Sequence, residues 1–209
     1  MLLDWAAREG WIILTWWALA TLAGLGALPL VMRLLGNLPD RGYTLARAAG
    51  VLLTSFVFWL LTSLGFLRNT AGSIGVAWLI VLGAGLLVYF QVGKANRQRI
   101  NLRAWWRDNR TAVIVAEVLF VVLLISWSLV RAHQNNLVTT EKPMDLALLA
   151  AVQRTETFPP PDPWLSGYSI SYYYFGYVIG AAFAQVSGVT SAMAYNLWDR
   201  KSTRLNSSH

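Results

Sequence analysis

Five stretches of this chain are too apolar and too long to belong in water. Residues 11–35, 48–67, 71–92, 111–130 and 168–189 carry only Arg33 and Glu117 as charged side chains. A helix of about 20 apolar residues, rising about 1.5 Å each, spans the roughly 30 Å hydrocarbon core of a bilayer. Lipid offers no hydrogen bonds, so each segment must satisfy its own backbone, which selects helix. The expected fold class is all-α, a polytopic transmembrane helical bundle of about five spans. Composition agrees, because charged residues make up 13% of the chain against about 25% in soluble domains. Eleven tryptophans suit an interfacial aromatic belt.

Several function classes drop out early. There is no cysteine, hence no disulfide framework or thiolate site, and two histidines leave little for zinc. The formal charge of +7 includes Arg200, Lys201 and Arg204 near the end. The remaining excess sits in loops, which fits membrane orientation better than nucleic acid. The start, with Asp4, Arg8 and Glu9, is net negative and precedes a long apolar run. It reads as a retained helix rather than a signal peptide.

The basic residues set the expected topology. Residues 33–47 hold Arg33, Arg41 and Arg47, and residues 93–110 hold Lys94, Arg97, Arg99, Arg103, Arg107 and Arg110. The positive-inside rule places both segments in the cytoplasm of a plasma-membrane protein, with the N-terminus and loop 131–168 outside. Trp105 and Trp106 within the second segment suit an anchor on anionic lipid, against the alternative of a nucleic-acid contact. Glu117, inside the fourth span, is open to two readings: a functional membrane carboxylate, or one paired with an interfacial basic group. From residue 199 the pattern breaks, and the final K-S-T-R-L-N-S-S-H resembles translated sequencing adapter. Residues 199–209 are therefore expected to be non-native, the natural chain continuing past residue 198. The expected division is a three-span region, 1–110, and the start of a second membrane domain, 111–198.

The outer loop concentrates the chemistry. Pro143 and Asp145 suit the first turn of a short surface helix over 143–156, with Met144, Leu148, Ala151 and Val152 on one face. Phe158-Pro159-Pro160-Pro161-Asp162-Pro163 cannot be regular helix and forms a stiff strap leading to Trp164 and Gly167. The fifth span opens with Tyr168, Tyr172, Tyr173, Tyr174, Phe175 and Tyr177. An aromatic belt accounts for about half of these. Gly176, Gly180, Ala184 and Gly188 recur every four residues as a smooth packing ridge, which Tyr172 extends, with Tyr173 and Tyr177 in a second row. The candidate site is thus Glu141 and Asp145 as carboxylates, with Lys142, Arg154, Asp162, Trp164, Tyr172, Tyr173, Tyr174 and Tyr177 around a sugar or lipid phosphate.

The E-K-P-M-D run followed by P-P-P-D-P-W-L-S-G-Y-S-I-S-Y-Y-Y-F-G-Y resembles DUF2298, the chlor-arch YYY membrane family of Chloroflexi and archaea. The resemblance covers about residues 110–198. The same stretch is more distantly similar to GT-C glycosyltransferases, polytopic enzymes that use a lipid-linked sugar donor outside the cytoplasm. That similarity implies Glu141 as general base, acceptor-orienting or metal-binding carboxylate, with Asp145 in support and a polyprenyl-phosphate sugar as donor. GT-C motifs often pair two adjacent acids, whereas Lys142 follows Glu141 here, which weighs against a divalent metal. The expected partners are the bilayer and the lipid-linked donor, with no nucleic acid. The alternatives are a transporter or flippase with Glu117 along its pathway, and an assembly subunit with an acidic docking loop. Geometry separates them: an enzyme holds its acids over a lipid-accessible cavity, a transporter puts Glu117 in a pore, and a docking protein splays the acids into water.

Overall fold

A computed structural model of the chain describes residues 2–95, 101–133 and 142–198. Seven helices are described: α1 (Leu2–Leu34), α2 (Tyr43–Ser63), α3 (Ala71–Ala95), α4 (Leu102–His133), α5 (Lys142–Arg154), α6 (Phe175–Ser187) and α7 (Ser191–Trp198). The protein is a helical membrane bundle. Four segments, Gly10–Leu34, Tyr43–Ser63, Ala71–Gln91 and Leu102–Val130, are long and apolar enough to cross a bilayer.

The helix limits follow local chemistry. Asp40 opens α2: its carboxylate accepts from the backbone N–H groups of Gly42 and Thr44, at 2.9 Å each, and from the Thr44 hydroxyl at 2.8 Å. Burial alone would raise the Asp40 carboxyl, but the bonds from Thr44 and Gly42 outweigh it and hold the group below its ordinary value. The second helix therefore starts five residues before the expected 48, and it takes Arg47 out of the loop. Likewise α4 starts at Leu102, so Trp105, Trp106, Arg103, Arg107 and Arg110 lie on helix rather than loop. Pro29 sits inside α1 without ending it.

Helices α1, α2 and α3 pack closely. A Cβ on Gly50 would collide with the backbone of Ala23 and Gly24, and one on Gly24 would come within 2.9 Å of the Arg47 Cα. Backbone contact of this kind needs glycine, as membrane interfaces with no hydrophobic drive favour small residues. Helix α4 stands apart. Among its described residues only Val113 and Ser128 are buried; at about 1.5 Å per residue they are roughly 22 Å apart. A gap opens along its length, lined by residues of α1, α2 and α4.

The fifth expected span is different. Residues 168–174 precede the helix, and α6 is 13 residues long, about 20 Å at 1.5 Å per residue. Its N-terminal end meets Trp59, whose indole donates to the Tyr174 hydroxyl at 2.9 Å and lies 6.0 Å from the Phe175 ring. Its C-terminal end meets Trp16, which lies 5.2 Å from Phe183 and donates to the Ser187 hydroxyl at 3.2 Å. Trp16, Trp59 and Ala77, all packed around α6, lie four to six residues from the same-side ends of their spans. Helix α6 thus runs across one end of the bundle instead of down through it. Gly188 stops it in the left-handed region, φ 69°, where its N–H reaches the carbonyls of Ala184 and Gln185.

With α5, α7 and the strap, α6 builds a cap over that end. Phe158 anchors the strap, edge-on to Phe58 at 5.7 Å. The strap closes on itself through Ile170 N–H to Pro160 O (2.9 Å) and Asp162 N–H to Tyr168 O (2.8 Å). Arg41, Arg47 and Arg103 lie at the opposite end, where the Tyr43 and Trp105 rings are 5.8 Å apart.

A candidate lipid-facing cleft

The gap beside α4 is a cleft of about 1190 Å³ running between α1, α2 and α4 and reaching under the cap. Its walls are mostly aliphatic and aromatic. Polar groups gather at its two ends.

At the cap end stands Asp145. The helix that carries it matches the expected surface helix closely, Lys142–Arg154 against 143–156, but its buried face is rotated. Asp145, Leu148, Leu149 and Val152 point inward, while Met144 is exposed. The reason is a hydrogen bond that helical periodicity cannot reveal: the Tyr177 hydroxyl of α6 donates to Asp145 Oδ1 in a buried contact. Burial first, and then the hydrogen bond and charge of Asp145, push the Tyr177 phenol up, so it keeps its proton and stays a donor. Asp145 Oδ2 has no hydrogen-bond partner among the described residues. Tyr172 and Tyr173 line the same end, as do Trp127 of α4 and Tyr195 of α7. The Trp127 indole N–H is buried without a partner among the described residues.

The other expected site residues are dispersed. Tyr174 is engaged by Trp59. Asp162 is a turn former, its Oδ1 accepting from the N–H groups of Trp164 (2.8 Å) and Leu165 (3.0 Å). Arg154 and Trp164 are exposed and do not line the cleft. Glu141 lies outside the described residues, and for Lys142 only the backbone is described. The expected tyrosine rows do not form, because Tyr172 and Tyr173 precede α6. Of the glycine ridge, Gly180 and Ala184 are buried, Gly176 is exposed and Gly188 is the stop.

At the basic end, Glu117 lines the cleft and is paired. Its Oε2 accepts from Arg47 Nη2 at 2.5 Å and its Oε1 from the Tyr43 hydroxyl at 2.8 Å. Arg47 also reaches Thr21 Oγ1 at 3.2 Å and lies over the Phe120 ring at 4.2 Å. Of the two readings of Glu117, the structure shows the one paired with a basic group, Arg47; the sequence named neither Arg47 nor Tyr43 as the partner. The only available signal was an arginine in the second turn of a span, and that required the start of α2. Among the described residues no three His, Cys, Asp or Glu side chains come together to hold a metal.

With the geometry in hand, comparison with known proteins adds one relation. The family model of the uncharacterized membrane protein family DUF2298 matches residues 53–198. The chain belongs to DUF2298. No curated protein and no solved structure matches it. The DUF2298 match takes in the C-terminal half of α2, all of α3 and α4 and the whole cap, so it contains Asp145, Tyr177 and Glu117. It starts beyond Arg47 and α1, which supply the other wall of the cleft.

Proposed function

We propose that this multi-pass membrane protein is a glycosyltransferase that moves a sugar from a polyprenyl-phosphate donor to an acceptor hydroxyl, in a plasma membrane with the cap outside the cytoplasm. One observation supports the reading: Asp145, 9% exposed, stands at the cap end of an apolar cleft, held by Tyr177 through Oδ1 and with no partner for Oδ2 among the described residues. A carboxylate so placed is suited to take the acceptor proton as the new glycosidic bond forms and the sugar–phosphate bond breaks. Tyr177 holds it by Oδ1. Tyr172, Tyr173 and the Trp127 indole are hydrogen-bond donors for the departing phosphate, and the walls beneath accept the prenyl chain. Glu141, four residues before Asp145 in the sequence, is a second carboxylate for the acceptor, with Lys142 as the neighbouring cation.

The test is complementation of surface glycan by the full-length gene in a deletion strain. Asp145→Asn and Glu141→Gln are each expected to insert and accumulate normally while glycan is lost in at least one. Normal glycan in both would remove the assignment. A lipid transporter is the second reading, favoured by Glu117 lining the same cleft as Asp145. It predicts that Glu117→Gln abolishes function while Asp145→Asn does not.

A further inference from the structure

The proposed chemistry leaves the basic end of the cleft unused, and that end is a built polar site. Arg47 and Glu117 both line the cleft, their side chains 17% and 31% exposed. A guanidinium has five N–H donors, yet only Nη2 is engaged by a described residue, with Glu117 and Thr21 as its acceptors. Nε and Nη1 have no acceptor among the described residues. Charged groups within spans are costly and mark ligand sites by default.

The charge pattern selects the ligand. A simple anion drawn to Arg47 would be repelled by Glu117, and a simple cation the reverse. A ligand carrying both signs a few ångströms apart satisfies both residues. Arginine matches phosphate oxygens, and the carboxylate matches a primary ammonium that can still donate hydrogen bonds. Depth agrees. Arg47 lies four residues into α2, about 6 Å from its start, where headgroup gives way to hydrocarbon. From Glu117 the apolar wall of Phe120, Leu123 and Leu124 continues to Trp127, about 15 Å along α4. That is half of the roughly 30 Å hydrocarbon core, one leaflet's depth.

We infer that the basic end of the cleft binds phosphatidylethanolamine, with the lipid phosphate on Arg47, its ammonium on Glu117 and an acyl chain along α4. This goes beyond the glycosyltransferase reading and stands without it, because this lipid comes from the leaflet opposite the cap. The two amphiphiles share the apolar walls from opposite ends.

The test is native mass spectrometry of the full-length protein in mild detergent, titrated separately with dioleoyl phosphatidylethanolamine, phosphatidylcholine and phosphatidylglycerol. Expected is preferential retention of phosphatidylethanolamine, weakened at least tenfold in Arg47→Gln. Phosphatidylcholine should bind less well, since its quaternary ammonium has no N–H. Glu117→Gln, which keeps the shape and leaves Arg47 unopposed, should shift the preference toward phosphatidylglycerol. Should Arg47→Gln prove unfolded, this swap in Glu117→Gln decides alone. Equal retention of all three lipids by the wild type, or unchanged preference in Glu117→Gln, overturns the inference. So does displacement of the lipid by millimolar inorganic phosphate, which would make the site one for free phosphate. Lipid retention is read independently of glycan, so its failure leaves the Asp145 assignment untouched.

Discussion

Asn69 is expected to be the rivet between the three-helix core and the cap. It sits in the short α2–α3 connection, 7% exposed. Its Nδ2 donates to the Val152 carbonyl at 2.7 Å and the Thr155 carbonyl at 2.8 Å, at the C-terminal end of α5, where helix carbonyls lack partners of their own. Its backbone N–H donates to Glu156 O at 2.9 Å and its carbonyl accepts from Gln185 at 3.1 Å, and both survive substitution. Asn69→Ala removes two side-chain bonds, each worth about 1 kcal/mol net, and strands two carbonyls, for which an unmet buried group costs about 1–3 kcal/mol. The expected loss is about 2–4 kcal/mol. The neighbouring Arg68–Glu156 ion pair, 3.2 Å with both side chains more than three-quarters exposed, should contribute only about 0–1 kcal/mol. Thermal unfolding in detergent, read alongside limited proteolysis of the 155–174 strap, compares Asn69→Ala with Arg68→Ala. Asn69→Ala should lower the midpoint and open the strap to cleavage, and Arg68→Ala should do neither. If Arg68→Ala were as damaging, or Asn69→Ala harmless, the cap would not be held by this capping geometry.

Three further outcomes are expected. Gly50→Ala drives a Cβ into the Ala23 backbone and should cost about 1–3 kcal/mol by overpacking, whereas Gly83→Ala, with nothing within 4 Å, should be neutral or slightly stabilising in the same unfolding assay. Asp40→Ala should cost about 1 kcal/mol as a lost helix cap. Because the native carboxyl lies below its ordinary value of 3.8, its contribution is complete above that pH and fades as acid titrates through the lower native value; the acid limb of the stability profile should flatten in the variant. Tyr177 titrates above its ordinary value of 10.0, so its contribution is complete below pH 10 and is lost only on stronger alkali. Tyr177→Phe should lower stability at pH 7 and remove that alkaline step in pH-dependent unfolding.

Part of this architecture was legible before any coordinates. The lengths of the apolar runs gave five expected spans, four of which are long apolar helices, and Pro143 with Asp145 placed α5 within two residues at each end. Asp145 was also visible as a carboxylate at a helix start. Its burial was not, because a periodic pattern scores it as polar and outward. Only Tyr177, thirty-two residues on, turns that face inward. The same holds for Glu117, whose partner Arg47 sits seventy residues away.

The sequence by itself determined the class of solvent and the secondary structure. Runs free of charge cannot stay in water, and lipid leaves the backbone no option but helix. It could not determine which apolar helices cross. The 168–189 run has a span's hydropathy, yet tertiary packing breaks it at Phe175 and lays α6 across the bundle, because burial against Trp16, Trp59 and α5 satisfies the same side chains that lipid would. The cleft, too, belongs to tertiary structure alone. It exists because α4 is tied to α2 through Glu117 and Phe120 against Tyr43 and Arg47 while most of its apolar side chains stay exposed, a matter of helix separation that no local pattern encodes.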